Sequence, residues 1–232
     1  MDVIWNGLVQ AFWLIVTGDP EVMRITALSL KVSGIATLCS LILGIPVGSF
    51  IGLARFPGRG FVLSLINTGM ALPPVVVGLF VSIMLWRSGP LGMLQLLYSP
   101  TAIVIAQFIL AFPVVTGLTV TAMQQIDPKL RLQLLGLGAS RIQLVMQLLK
   151  EARLAMLAAI MAGFGAVISE IGASMMVGGN ILHYSRVLTT ATVLETARGN
   201  FELAIALSAI LLVITFLINW ALTAIQQYGS GR

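Results

Sequence analysis

Apolar residues gather along this chain in long blocks. Five of them, 26–54, 61–86, 99–123, 153–177 and 203–225, are long enough to cross a hydrocarbon core of about 30 Å, which needs about 20 residues of helix. A shorter block, 3–16, carries Trp5 and Trp13 with Leu8, Phe12, Ile15 and Val16 at helical spacing, while Asn6 and Gln10 fall elsewhere on the wheel. That pattern predicts a helix lying in the membrane interface rather than across it. The expected fold is therefore an all-α polytopic membrane protein with about five transmembrane helices, an N-terminal interfacial helix and one structured connection, 124–152, within a single permease domain over 1–232.

The blocks are not uniform rods. Pro46, Pro73, Pro74 and Pro113 lie inside them, and each removes a backbone donor and is expected to kink its helix. Gly163, Gly165 and Gly172 in the fourth block allow close helix approach. Interrupted helices line cavities more often than they face lipid, although packing alone can also explain them.

The 127–152 segment alternates polar and apolar residues and carries its own punctuation. Asp127 suits an N-cap and Pro128 a first helical position; Gly136 and Gly138 break that helix; Ser140 with Gln143 forms a capping-box pattern that opens a second. A compact helix-turn-helix follows, with apolar side chains left for a partner's groove or for lipid.

Composition agrees with the blocks: the chain is 58% hydrophobic and 9% charged, whereas a soluble domain is about 25% charged. The formal net charge of +5 comes from scattered residues with no basic run, which gives no footprint for nucleic acid. Basic residues orient the chain. With 124–152 inside, Arg55, Arg59, Lys129, Arg131, Arg141, Lys150, Arg153 and Arg232 are cytoplasmic, and Arg24, Lys31, Arg87, Arg186 and Arg198 are external. Five spans then put the N-terminus outside and the C-terminus inside. Asp2 stands where a signal peptide would be basic, so no cleavable leader is expected.

Several chemistries are excluded. Cys39 is the one cysteine and His183 the one histidine, so neither a disulfide, a thiolate cluster nor an HExxH zinc site can form within the chain, and no metal site is expected. No G-x-S-x-G elbow and no GxxxxGK[ST] loop occurs. The chain is expected to be a transport subunit, not an enzyme, and to bind no cofactor; if ATP drives it, a partner supplies the ATPase.

Specific blocks carry a resemblance. Gly138-Ala139-Ser140, followed by Arg141, looks like the EAA loop of importer permeases of the ATP-binding-cassette superfamily. The family's Glu-Ala-Ala would fall on Leu132, Gln133 and Leu134, and its later Leu-Pro on Lys150 and Glu151, where this chain departs from it. Leu72-Pro73-Pro74-Val75-Val76-Val77-Gly78, Ile168-Ser169-Glu170-Ile171-Gly172-Ala173, Met175-Met176-Val177-Gly178-Gly179-Asn180 and Arg186-Val187-Leu188-Thr189-Thr190-Ala191 resemble the molybdate/tungstate/sulfate permeases, the third block most like the tungstate branch. The resemblance implies a prokaryotic inner-membrane homodimer, two cytoplasmic ATPase subunits that use ATP and magnesium, and an external oxyanion-binding protein. It also implies that Gly136, Gly138, Ala139, Ser140 and Arg141 form the ATPase-coupling turn. It implies tungstate as the substrate, with molybdate or sulfate as the alternative. An ion-coupled secondary transporter and a non-transporting scaffold are the alternative classes; no convincing inverted repeat supports the former.

Pathway or gate candidates are Pro73, Pro74, Ser169, Glu170 and Gly172. An isolated carboxylate in a span costs several kcal/mol unless paired, solvated or protonated, so Glu170 is read as a gate or packing residue; it would repel an oxyanion. Asn67, Gln107, Ser169 and Ser174 are neutral donors for a passing oxyanion or for neighbouring helices. Lys31 either snorkels outward or draws an anion in. The 178–202 segment is expected to be an external loop, with Asn180, Arg186, Thr189 and Thr190 at the mouth and His183 solvated.

Overall fold

The computed structural model describes residues 2–230, with side chains through residue 227. Arg232, placed inside by the charge pattern, lies outside the described residues. Helices α1 (Asp2–Val16), α2 (Pro20–Leu53), α3 (Arg59–Met70), α4 (Pro74–Leu85), α5 (Pro100–Gln125) and α6 (Pro128–Gly136) come first. They are followed by α7 (Arg141–Glu151), α8 (Arg153–Ile168), α9 (Gly172–Gly178), α10 (Leu188–Ala197) and α11 (Phe201–Ser230). By length and composition, α2, α5 and α11 can each cross a membrane. Two bent pairs, α3 with α4 at 97° and α7 with α8 at 75°, are apolar enough to add one crossing each.

The interior is organised around α2 and α5. Gly44, Gly48 and Gly52 stand four residues apart, so they share one face of α2. A Cβ at Gly48 would lie 2.6 Å from the Thr116 carbonyl oxygen, and one at Gly52 2.7 Å from Met123 Cβ. Only hydrogen fits in those gaps, so the two backbones approach as closely as small-residue membrane interfaces allow. Ser29, Thr37 and Ser40 on α2 are buried, and their hydroxyls donate to carbonyls one turn back at 2.7–2.8 Å. No hydroxyl of that set is left bare in an apolar surrounding, where it would be costly.

Helix starts follow their local chemistry. Asp19 caps α2, accepting from the Glu21 and Val22 amides at 3.0 and 2.9 Å, with Pro20 in the first turn. The first long helix thus begins six residues before the apolar block at 26. α1, at about 1.5 Å per residue, is about 22 Å long. It packs Gly7 and Ala11 towards α11 and leaves Trp5, Phe12 and Trp13 more than half exposed.

Three expectations are corrected. The 61–86 block is not one helix: α3 ends at Met70 and α4 restarts at Pro74, because Pro73 and Pro74 hold the backbone extended. The 153–177 block is also two helices, broken at 169–171 without any proline. Finally, 178–202 is not merely a loop, since α10 lies within it and packs against α11. By contrast, α2 and α5 continue through Pro46 and Pro113 without interruption.

Candidate translocation pathway

The two helix breaks lie side by side. A Cβ on Gly172 would stand 2.9 Å from Val75 Cγ2, and one on Gly78 would stand 2.7 Å from the Ala173 Cα. Glycine at both positions is what lets α4 and α9 press together directly beyond the breaks. Behind them, α5 receives α3: a Cβ on Gly69 would meet Pro113 Cβ at 2.8 Å.

Glu170 makes the second break. Its side chain is buried, the residue being 5% exposed. Oε1 accepts from the Ala173 amide at 2.6 Å, and Oε2 accepts from the Ser174 amide at 2.9 Å and the Ser174 hydroxyl at 2.6 Å. These are the free amides of the first turn of α9, so the carboxylate ends one helix and caps the next. Three short donors compensate a charge that would otherwise be prohibitive to bury. The Glu170 carbonyl in turn accepts from the Thr189 hydroxyl at 2.9 Å, and Gln107 of α5 donates Nε2 to the Val167 carbonyl at 3.0 Å. Four elements therefore fix the geometry of 167–174.

This network reassigns several residues. Ser174 and Gln107, candidates to greet a passing oxyanion, use their donors within the fold. Ser169 is exposed and donates back to Gly165 at 2.8 Å; Asn67 is exposed on α3. Thr189 and Thr190, placed at an external mouth by sequence, are buried at the start of α10. The Thr190 hydroxyl accepts from the Val187 amide at 3.1 Å and donates to the Val187 carbonyl at 3.0 Å. The Leu188 amide reaches Ser29 on α2 at 2.8 Å. Arg186 is no free anion receptor either: its side chain is 11% exposed and pairs with Glu21 at 3.4 Å. Asn180 takes φ 49° in the turn after α9, and Ser185 closes that turn by donating to Gly178 and accepting from the Ile181 amide. His183 is exposed in the same turn, and Lys31 is exposed on α2. On the flank beside the breaks, Pro73, Pro74, Val75, Val76 and Ser169 are exposed. Proline and valine dominate this uncovered surface.

The other candidate element is the α6–α7 pair. The Asp127 carboxylate accepts from the Lys129 amide at 2.8 Å, and the Ser140–Gln143 box closes in both directions at 2.8 and 3.3 Å. Between the helices, Gly138 has φ +80°, a left-handed conformation natural to glycine, and open space where a side chain would stand. Gly136 and Arg141 flank it, both exposed, with half-buried Ala139 between. Leu144 and Leu148 anchor α7 to Met123 and Met156, while Leu137 and Ile142 are 85% and 74% exposed. A rigidly capped turn thus presents large apolar side chains outward.

The sequence signal for Glu170 as a helix cap was present but unusual, because a capping acid there interrupts a continuous apolar block. The Gly44, Gly48 and Gly52 spacing was equally visible.

Comparison with known proteins agrees with this architecture. Residues 44–228 match the family described as binding-protein-dependent transport system inner membrane component. The chain is 37% identical to the tungstate uptake system permease protein TupB of Peptoclostridium acidaminophilum, over 98% of this chain and 100% of that one. It is 40% identical to a probable anion ABC transporter permease protein of Haloferax volcanii, over 90% of this chain and 93% of that one. The fold is also that of a chain in an inward-facing structure of the MetNI methionine ABC transporter, with TM-score 0.75, 19% identity and coverage of 94% of this chain and 97% of that one. With capped paired helices, adjoining helix breaks and a match across most of its length, this chain belongs to the inner-membrane permease family of binding-protein-dependent ABC transporters.

Proposed function

We propose that two copies of this chain enclose a pathway for tungstate, delivered by an external binding protein and driven by two cytoplasmic ATPase subunits that bind ATP and magnesium. The single observation that carries the pathway is the adjoining pair of breaks, with the uncovered flank of Pro73, Pro74, Val75 and Val76 beside them. A second copy facing this flank would enclose it as one wall of a pathway shared between the two copies. Tungstate rests on the Met175–Asn180 block and on likeness to a tungstate permease; molybdate and sulfate are the alternatives. In this reading α6 and α7 lie in the cytoplasm, so that of the bent α7–α8 pair only α8 enters the membrane; the N-terminus is external and α1 lies in the interface. An ion-coupled transporter would give the exposed apolar turn of α6–α7 no task.

The test is reconstitution with a candidate ATPase subunit and oxyanion-binding protein from the same organism. Tungstate uptake should require ATP, and sulfate should not compete at equal concentration. Gly138→Glu should insert in the membrane yet lose ATPase association and uptake. Gly138→Asn, which tolerates positive φ, should keep both. Full uptake by Gly138→Glu sinks the coupling assignment; loss in both variants assigns Gly138 to the turn alone.

A further inference from the structure

A cavity of about 440 Å³ opens between the C-terminus of α2, the α2–α3 turn, the end of α5 and the start of α6. Arginines from three separate elements line it: Arg55 from the turn, Arg59 from α3 and Arg131 from α6. Arg59 donates Nε to the Ile51 carbonyl at 2.9 Å and a terminal nitrogen to the Gly52 carbonyl at 3.4 Å. Arg131 donates to the Leu53 carbonyl at 3.1 Å. Both guanidiniums thus sit against the negative end of the α2 dipole, with N–H groups left over. Arg55 makes no hydrogen bond or ion pair with any described residue.

None of the three has a carboxylate of a described residue within ion-pair distance. Asp127 is the one acid on the wall, and its Oδ1 accepts the Lys129 amide at 2.8 Å. A cavity of the same volume elsewhere in the molecule shows the contrast. It is lined by Asp19, Glu21 and Glu195 with Arg186 and Arg198, and both of its arginines are paired. Around Arg55, Arg59 and Arg131, three cations against one acid leave an excess of positive charge among the described lining residues. Apolar walls that include Leu53, Met123 and Ile126 focus that field.

We propose that this cavity binds a phosphate-type tetrahedral oxyanion, presented by an anionic lipid headgroup or as a free dianion, and that the bound anion ties α6 to the α2–α3 turn. Guanidinium forks match the spacing of phosphoryl oxygens, and basic pockets between membrane helices suit anionic headgroups. The lipid source rests on the proposed reading that this end of the molecule faces the cytoplasmic leaflet. The anion would brace the α6–α7 turn against the membrane-crossing helices.

The test uses the purified full-length chain in neutral detergent and needs no transport. Native mass spectrometry reads retention of phosphatidylglycerol against phosphatidylcholine, and thermal unfolding reads the response to inorganic phosphate and tungstate. Arg55→Gln and Arg131→Gln should each weaken anion retention about fivefold. Arg87→Gln, outside the cavity, should change nothing. Arg55 has no hydrogen-bond or ion-pair partner among the described residues, so Arg55→Gln stays interpretable should Arg131→Gln unfold. Phosphatidylglycerol that survives excess phosphate identifies the headgroup as the source; displacement by phosphate, with a raised Tm, identifies the soluble ion. Equal retention of both lipids with no response to phosphate or tungstate overturns the proposal, as does unchanged binding in Arg55→Gln. Absent tungstate uptake with intact lipid retention counts against the transport reading and leaves the cavity's assignment standing.

Discussion

The break between α3 and α4 and the break between α8 and α9 adjoin in space but are made in opposite ways. The first is written into covalent geometry. Pro74 forces the residue before it out of the helical region, and that residue is itself proline, so no neighbour is needed to hold the backbone open. The second depends on a charge. The Glu170 carboxylate holds two amides and a hydroxyl of α9, while Thr189 and Gln107 secure the flanking carbonyls from other elements. A local device tolerates changes around it, whereas a networked device fails when any distant partner is lost.

Glu170→Ala should break the comparison most. It leaves the Ala173 and Ser174 amides and the Ser174 hydroxyl without their acceptor in a buried site, at roughly 1–3 kcal/mol per unsatisfied group. Thermal unfolding of the purified chain should drop steeply and uptake should vanish, with Glu170→Gln recovering part of the stability through its remaining acceptor. A Glu170→Ala chain as stable as wild type would remove the carboxylate from its structural role.

Gly78→Ala should act at the contact shared by both breaks. Its Cβ would stand 2.7 Å from the Ala173 Cα, closer than backbone can accept, so α4 and α9 must separate. An overpacking cost of about 1–3 kcal/mol is expected in denaturation, together with reduced uptake. Wild-type values in both assays would show that the two helices separate freely.

The smallest effect is expected from Pro73→Ala. Pro74 still restricts the residue before it, so the extended link survives, and the change should be below about 1 kcal/mol. Uptake should stay near wild type. A collapse of uptake in Pro73→Ala would mean that the first break is no more local than the second.

The same division explains what could be read from the chain. Asp127 with Pro128, and Ser140 with Gln143, are short-range signals, and both helix starts form where those residues stand. The proline pair was visible too, though a continuous apolar block masked the right-angled turn it produces. What the sequence hid depends on distant partners. α10 begins Leu-Thr-Thr, and threonine is a mediocre helix former, so the segment reads as loop until burial against α2 and α11 is known. Thr189 and Arg186 look like surface receptors, yet one serves the Glu170 carbonyl and the other an ion pair with α2. The positions of exposed apolar side chains on α6 and α7 were legible; their outward aim was not.

The glycine face of α2 has a mechanical consequence. Glycines bring no rotamers to an interface, so pressing Gly44, Gly48 and Gly52 onto α5 freezes no side-chain freedom on the α2 side; the side chains at this contact are those of Val115, Thr116, Thr119 and Met123 on α5. An interface so close and so bare on one side offers few other packings, and switching needs two arrangements of similar energy. The α2–α5 pair is therefore expected to be the keel of the molecule, the frame against which displacement of the broken helices during a transport cycle would be measured.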